Sequence, residues 1–458
     1  MNYRETVEYI LSIPLFAQKI GTENLASLLE RLGNPQDKSK VIHIAGTNGK
    51  GSTAKALATI LMHAGFHVGL FTSPHLVSIN ERIRYDDEMI SDEDFTWAFE
   101  QVRKKFIVHP SFFEVMFAMA AVYYEKKQPD YVIYETGMGG RLDATNVVRP
   151  KLCIITSVGL DHMEYLGDTI AKIAGEKAGI IKPSVPVVYF KRDAVSSGII
   201  ETHAKELDSA VTAVEKSNYI INEIDDKTID FSFHNRYYNY DHLRIPKTSL
   251  YQVENTCLAV ASFDILMQIR DIEYGKNAGA DVRIEQAVRS GLLDFSWEGR
   301  MEEIAQDLFV DGAHNPEAVE CYCRTLRTLY TKKKKILVFA AVKDKDYDTM
   351  IRDLTEALSF EKIIVTSVDN KRKAPVSLIA DRFRNYTGHT VEAYEDIAEA
   401  KRNLRIWRNS MINFDEEVKK FRPTLEVDQA EDAIYHNDLK DISDIMQEML
   451  RVAKETEK

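Results

Sequence analysis

A chain of 458 residues is longer than one hydrophobic core usually supports, and 45% hydrophobic residues supply material for two folded units. A formal charge of −12 argues against a general nucleic-acid-binding surface, which needs clustered Lys and Arg in excess. From Thr424 to Lys458 ten acidic residues stand against four basic ones, a net of −6, so half the charge sits in that tail and anion sites elsewhere must be built locally.

The N-terminal segment carries Arg4, Glu5 and Glu8 where a secretory signal would need an apolar core. The most apolar stretch, Phe112 to Tyr124, is interrupted by Glu114 and is shorter than the ~20 residues that cross a bilayer. Four cysteines, Cys153, Cys257, Cys321 and Cys323, are too few and too irregular for a disulfide framework. A cytoplasmic protein that engages no membrane is expected, with Cys321 and Cys323 on a helix face.

The apolar run Val41 to Ala45 predicts a buried strand that breaks into glycines and then into helical spacing from Ala54 to Ala64. Further strands are predicted at His67 to Phe71, Tyr131 to Tyr134, Leu152 to Val158 and Val185 to Phe190. Helical segments such as Asp92 to Phe106 and Phe112 to Lys127 separate them. This alternation implies an α/β domain with a mainly parallel sheet. Asn222 to Leu250 alternates polar and aromatic residues, which predicts antiparallel strands at the edge of that domain, and helical spacing resumes from Val253 to Met267. A second alternation follows, with strands at Leu308 to Val310, Ile336 to Ala340 and Lys362 to Val365. The expected division is a first domain over 1–293, a linker over 294–300 and a smaller α/β domain over 301–458.

The segment GTNGKGS, Gly46 to Ser52, lies between the first strand and its helix. Backbone N–H groups of such a turn close around phosphate oxygens, and the helix N-terminus adds positive potential. Thr47, Asn48, Gly49, Lys50, Gly51 and Ser52 are therefore candidate nucleotide contacts, with Lys50 reaching the terminal phosphates. The loop departs from GxxxxGK[ST], because Ile44 occupies the first glycine position and Gly51 separates Lys50 from Ser52. Glu135 ends a buried strand and enters the turn TGMGG, which places a carboxylate at the C-terminal edge of a parallel sheet, where nucleotides bind. Asp161 and His162 follow another strand to the same edge.

The loop together with FTSPHLVSINERI (Phe71 to Ile83) resembles the folylpolyglutamate synthase and dihydrofolate synthase family, relatives of the Mur ligases. The resemblance runs on through YETGMGGRLDATNVV (Tyr134 to Val148), SVGLDHMEYLG (Ser157 to Gly167) and IAGEKAGIIK (Ile173 to Lys182). DGAHNP (Asp311 to Pro316) and KDKDY (Lys343 to Tyr347) extend it into the second domain.

The resemblance implies a P-loop Mur-ligase-like ATPase domain followed by a Rossmann-like domain, with ATP and Mg²⁺ as cofactors. It implies Mg²⁺ held at Ser73, Glu135 and His162, and a carbamylated Lys177, whose anionic carbamate binds a hard cation where an ammonium would repel it. It assigns Asn255, Arg300 and Asp311 to ATP, with His314 completing the site. Lys50, Lys177 and His314 are the implied catalytic groups. Asn80, Glu81 and Arg82 resemble a pterin-side loop in which Arg82 holds a carboxylate bidentately. Asp344 to Asp346 and the stretch from Lys371 to Pro375 resemble elements around an incoming glutamate. The implied reaction adds L-glutamate to a folate or dihydropteroate carboxylate through an acyl phosphate, in a chain expected to act as a monomer.

One departure stands out: the family's closing strand and GS-x-Y-L segment are missing, and residues from Lys401 onward read as charged helix. Two alternatives therefore stay open, a Mur-like ligase for another acid and amine, and a nucleotide-binding protein that has lost ligase activity.

Overall fold

A computed structural model describes residues 1–14, 21–236, 239–274, 284–305, 307–368, 372–400 and 402–404. The chain divides into two compact units, Met1–Glu298 and Gly299–Lys458.

The first unit is built on an eight-stranded sheet. Its strands are β1 (Lys40–Ala45), β2 (Val68–Phe71), β3 (Ile83–Tyr85), β4 (Glu88–Met89), β5 (Tyr131–Glu135), β6 (Pro150–Ile155), β7 (Val187–Lys191) and β8 (Val211–Glu215). Their spatial order is β4-β3-β2-β5-β1-β6-β7-β8. All contacts from β2 through β8 are parallel, and only β3 and β4 join antiparallel. The five residues of β5 are all buried, as are Val41 to Ala45 of β1, which is why these strands read as unbroken apolar runs.

Two helices show how the sequence supports this core. Phe112–Lys127 starts at a reciprocal cap between Ser111 and Glu114, is buried from Val115 to Tyr124, and ends on Lys126 and Lys127, which suit its negative end. Lys50–His63 is buried from Ser52 to Leu61; Ser52, Lys55 and Thr59 find partners there, whereas the Thr53 hydroxyl has none among the described residues. No described helix is long and apolar enough to cross a membrane.

Strands β9 (Tyr219–Ile224), β10 (Thr228–His234) and β11 (Asn239–Pro246) form their own antiparallel sheet, in the order β11-β10-β9. The large sheet is edged by β4 on one side and by β8 on the other, and sequence reading did not mark β8. Beyond the small sheet runs the long helix Tyr251–Tyr274.

The second unit pairs β12 (Arg300–Ala305) with β13 (Leu308–Asp311) in antiparallel fashion. A parallel sheet of β14 (Ile336–Phe339), β15 (Lys362–Thr366) and β16 (Thr390–Tyr394) follows, interleaved with helices Pro316–Leu329, Tyr347–Ala357 and Val376–Tyr386. Strand β16 was not expected from the sequence. Lys371 and the expected charged helix beyond residue 404 lie outside the described residues.

Candidate active site

The central order β2-β5-β1-β6 sets four chain ends side by side. In register, Ile44 of β1 lies beside Glu135 of β5 and Ile154 of β6, and Phe71 of β2 lies beside Tyr134. The segments that follow these strands, Ser73, Glu135, Gly46 to Gly49 and Thr156 to Gly159, therefore share one edge. The chain leaves β1 with neighbours on both sides, the arrangement at which open α/β sheets bind ligands.

The phosphate loop is clasped by the segment after β6. Thr47 N–H donates to Ser157 O (2.8 Å), Asn48 N–H donates to Ser157 Oγ (2.9 Å), and Gly159 N–H donates to Thr47 Oγ1 (2.9 Å). Gly49 turns the chain into the helix with φ 84°, a left-handed conformation suited to glycine. A Cβ there would also run into Asn255 Oδ1, so Asn255 of the long helix lies against the loop. Asn255 donates to Gln252 Oε1 (2.9 Å), and Gln252 donates to Ser52 Oγ (3.3 Å). Lys50 Nζ folds back onto Gly46 O (3.0 Å) and Thr47 O (3.2 Å).

Gly51 explains the irregular spacing of the loop. A Cβ built on it would stand 3.0 Å from Trp297 Cζ2 and 3.1 Å from Nε1, so the indole occupies the space a side chain would need. The sequence marks Gly51 as unusual, but its cause lies about 250 residues downstream.

Glu135 is 3% exposed and accepts the Ser73 N–H at 3.0 Å, which joins the ends of β2 and β5. Arg82 is 1% exposed, and its Nε donates to His75 Nδ1 (2.8 Å) while its guanidinium lies 5.1 Å from the centre of the Phe112 ring. Neither Nη atom of Arg82 has a hydrogen-bond partner among the described residues. Burial pulls the Arg82 pKa down to about 10, against the opposing fields of Glu135 and Glu81. A buried guanidinium with two open donors is built to receive an anion.

Its neighbours in the loop have structural duties. Glu81 accepts the N–H groups of Leu76, Val77 and Ser78 at 2.6 to 2.7 Å. Asn80 accepts from Tyr3 OH (2.9 Å) and donates to Ile90 O and Asp92 Oδ1 (both 2.9 Å). These two side chains shape the loop, and Arg82 is the one left open toward a ligand.

The glycine turn after Glu135 packs against the helix Ile170–Ala178. Arg141 N–H donates to Glu176 O (2.7 Å), and a Cβ on Gly140 would lie 3.1 Å from the Cα of Lys177. Lys177 is 2% exposed. A Cβ on Gly139 would meet Leu166, so the short helix Met163–Leu166 reaches the same turn. His162 precedes that helix with φ 49°; its ring is 44% exposed and 4.0 Å from Asp161 Oδ2. Among the described residues there is no group of three His, Cys, Asp or Glu side chains able to hold a metal. The donors brought together are Ser73 and the Glu135 carboxylate, oxygen ligands of the class that hard cations take. These residues fit Mg²⁺ in kind.

A buried chain missed by sequence reading supports the turn. His43 on β1, wholly buried, sits with Nε2 2.7 Å from Thr145 Oγ1, which donates to Asp143 Oδ1 (2.6 Å). Asp143 Oδ2 in turn accepts Met138 N–H of the glycine turn (2.9 Å). Burial, reinforced by Lys182, lowers the His43 pKa to about 3, so its ring is neutral at pH 7. A lone histidine inside an apolar strand carries no local signal of such a role.

In the second unit, Arg300 and Asp311 pair in register across β12 and β13. Asp311 accepts Met301 N–H (3.0 Å) and Ala313 N–H (2.8 Å), which fixes the turn carrying His314. His314 Nδ1 lies 2.8 Å from Gly312 O, and Asn315 caps the following helix through Ala318 N–H. Asp346 caps Tyr347–Ala357 through Thr349 N–H (3.2 Å), and Asp344 pairs with Arg372 (3.0 Å to Nε).

Residues 44–263 match the Mur ligase middle domain, and residues 299–411 match the Mur ligase, glutamate ligase domain. The dihydrofolate synthase/folylpolyglutamate synthase of Bacillus subtilis is 36% identical over 363 residues, covering 77% of this chain and 82% of that protein. A folylpolyglutamate synthase of Mycobacterium tuberculosis complexed with ADP superposes with a TM-score of 0.80 at 27% identity, covering 90% of this chain and 93% of the other. A folylpolyglutamate synthase in complex with AMPPCP and folate gives 0.74 at 30% identity, covering 86% and 96%. The chain belongs to the folylpolyglutamate synthase/dihydrofolate synthase family of Mur-type ligases, and it is an ATP-dependent ligase.

Proposed function

We propose that this ligase adds L-glutamate to the carboxylate of a folate-type acceptor, a reduced folate or dihydropteroate, with ATP converted to ADP and phosphate. The observation that carries the reading is the row of chain ends on β2, β5, β1 and β6, which sets the phosphate loop beside Glu135 and Ser73.

In the first step an acceptor carboxylate oxygen attacks the γ-phosphorus of ATP, and the bridging oxygen leaves with ADP. In the second the glutamate nitrogen attacks the acyl carbon, phosphate leaves with its oxygen, and the nitrogen loses a proton. Thr47 to Ser52 bind the nucleotide phosphates through backbone N–H groups, and Lys50 neutralises charge on the transferring group. Asn255 secures the loop at Gly49. Arg82 offers its two open Nη donors to the acceptor's carboxylate end, which Asn80 and Glu81 support by shaping the loop. Arg300, Asp311 and His314 are proposed nucleotide and phosphoryl contacts, and Asp346 a contact on the glutamate side. Ser73, Glu135, His162 and a carbamylated Lys177 would hold Mg²⁺, which when bound draws off charge from the phosphoryl oxygens.

The test is the substrate dependence of ADP release. Release that requires both a pteroyl carboxylate and L-glutamate supports the reading; turnover indifferent to glutamate refutes it.

A further inference from the structure

We propose that Trp297 is a nucleotide-positioning residue, a side chain that holds the first turn of the phosphate-loop helix in register for ATP. The inference rests on the reading of Gly46 to Ser52 as the nucleotide loop.

Three observations converge on this indole. Its Nε1, Cζ2 and Cε2 edge lies over Gly51, where a Cβ would come within 3.0 to 3.3 Å of ring atoms. A ring that is itself held yields less readily than a flexible chain. Trp297 is held: the Arg84 guanidinium lies 5.5 Å from the ring centre. Arg84, only 6% exposed, is fixed in turn by Glu298 (3.3 Å) and Asp87 (3.5 Å). Asp87 also pairs with Lys55, one turn along the phosphate-loop helix from Gly51. The indole is thus part of a closed circuit that begins and ends on that helix. Its ring N–H has no hydrogen-bond partner among the described residues, and the ring is partly exposed.

The circuit accounts for the inserted glycine. Lys50 and Ser52 present their side chains from the turn that Trp297 covers, so a shift of the indole or a side chain at position 51 moves both. Trp297 acts on the phosphates through the backbone it packs against, which makes it a positioning residue.

Calorimetric ADP binding to the full-length parent, Gly51→Ala, Trp297→Ala, Trp297→Phe and the double variant Gly51→Ala/Trp297→Ala tests the assignment, with thermal melts verifying that each is folded. Gly51→Ala is expected to weaken ADP roughly 10-fold or more and Trp297→Ala roughly 3- to 10-fold, while the double variant binds no worse than Trp297→Ala alone, because the clash needs both partners. Trp297→Phe keeps a ring on Gly51 and is expected to stay within about 3-fold of the parent. In turnover, Trp297→Ala raises the KM for ATP and leaves the KM for the acceptor unchanged. ADP changes the tryptophan emission of the parent, and that change is missing in Trp297→Phe. Multiplicative losses in the double variant, or parental ADP affinity in Trp297→Ala, overturn the assignment and leave the nucleotide reading intact. A folded parent that binds no ADP overturns both.

Discussion

The ammonium nitrogen of Lys50 donates to the carbonyl oxygen of Gly46 at 3.0 Å, across the turn that both residues belong to. With a second bond to Thr47 O at 3.2 Å, the lysine spans the loop it is to serve. A bound phosphate competes for this cation, and charged oxygens are stronger acceptors than neutral carbonyls. Lys50→Met keeps the length of the side chain and removes the charge. It is expected to lower kcat for ADP release by about 10²- to 10³-fold, the range seen on removing one donor to a developing oxyanion. Steady-state kinetics check this, with melting temperature as the control for folding.

Arg82 gives a prediction that separates acceptor from nucleotide. Lys at this position keeps a positive charge but loses the fork of two Nη donors. Arg82→Lys is expected to raise the KM for the pteroyl acceptor by about 10-fold, the equivalent of ~1.4 kcal/mol, and to leave the KM for ATP unchanged. Equal effects on both constants would refute a direct role at the acceptor.

The His43 chain predicts a pH dependence of stability. The His43 pKa is lowered to about 3 in the fold, chiefly by burial, whereas the unfolded chain takes up its proton near 6.5. Between these values the unfolded state binds more protons, so stability falls as pH falls from 6.5 toward 3 and is fully present above 6.5. Moving from pH 7.5 to pH 5 removes about 2 kcal/mol through this one group. Denaturant unfolding of the parent and His43→Gln at both pH values checks it: the variant should lose ~2 kcal/mol less on acidification.

Lys177 and its surroundings predict a dependence on dissolved CO₂ and on metal. A carbamate forms only on an uncharged amine, and it dissociates when CO₂ is removed. Degassed, bicarbonate-free buffer is expected to lower activity, and added bicarbonate to restore it. Lys177→Ala should be inactive and unresponsive to bicarbonate. Chelation with EDTA should stop ADP release in the parent, with recovery on added Mg²⁺. Full activity after both treatments would remove Lys177 and Glu135 from the proposed metal site.

The parts of this fold written plainly in the sequence are those buried on both sides. β1 and β5 are unbroken apolar runs, and Phe112–Lys127 carries its own start and stop signals at Ser111, Glu114, Lys126 and Lys127. Edge strands were harder to read. β8 (VTAVE) and β16 (TVEAY) are short and partly exposed, so neither shows the unbroken apolar run that marks a buried strand. At the site, Glu135 was legible because a carboxylate ending a buried strand needs a reason. The chain His43, Thr145, Asp143 and the packing of Trp297 on Gly51 were not, since both join residues 100 or more positions apart. Asn80 and Glu81 show the opposite case: their motif was visible, but only coordinates separate shaping the loop from touching a ligand.

The contact between Gln252 and Ser52, 200 residues apart, has a consequence for how the protein is made. A ribosome that has released the first 220 residues has delivered every strand of the large sheet, yet neither Gln252, Asn255 nor Trp297. The loop on such a nascent chain lacks the groups that brace Gly49, Gly51 and Ser52 from outside. The braces on the phosphate loop at Gly49, Gly51 and Ser52 thus come from residues made after every strand of the large sheet.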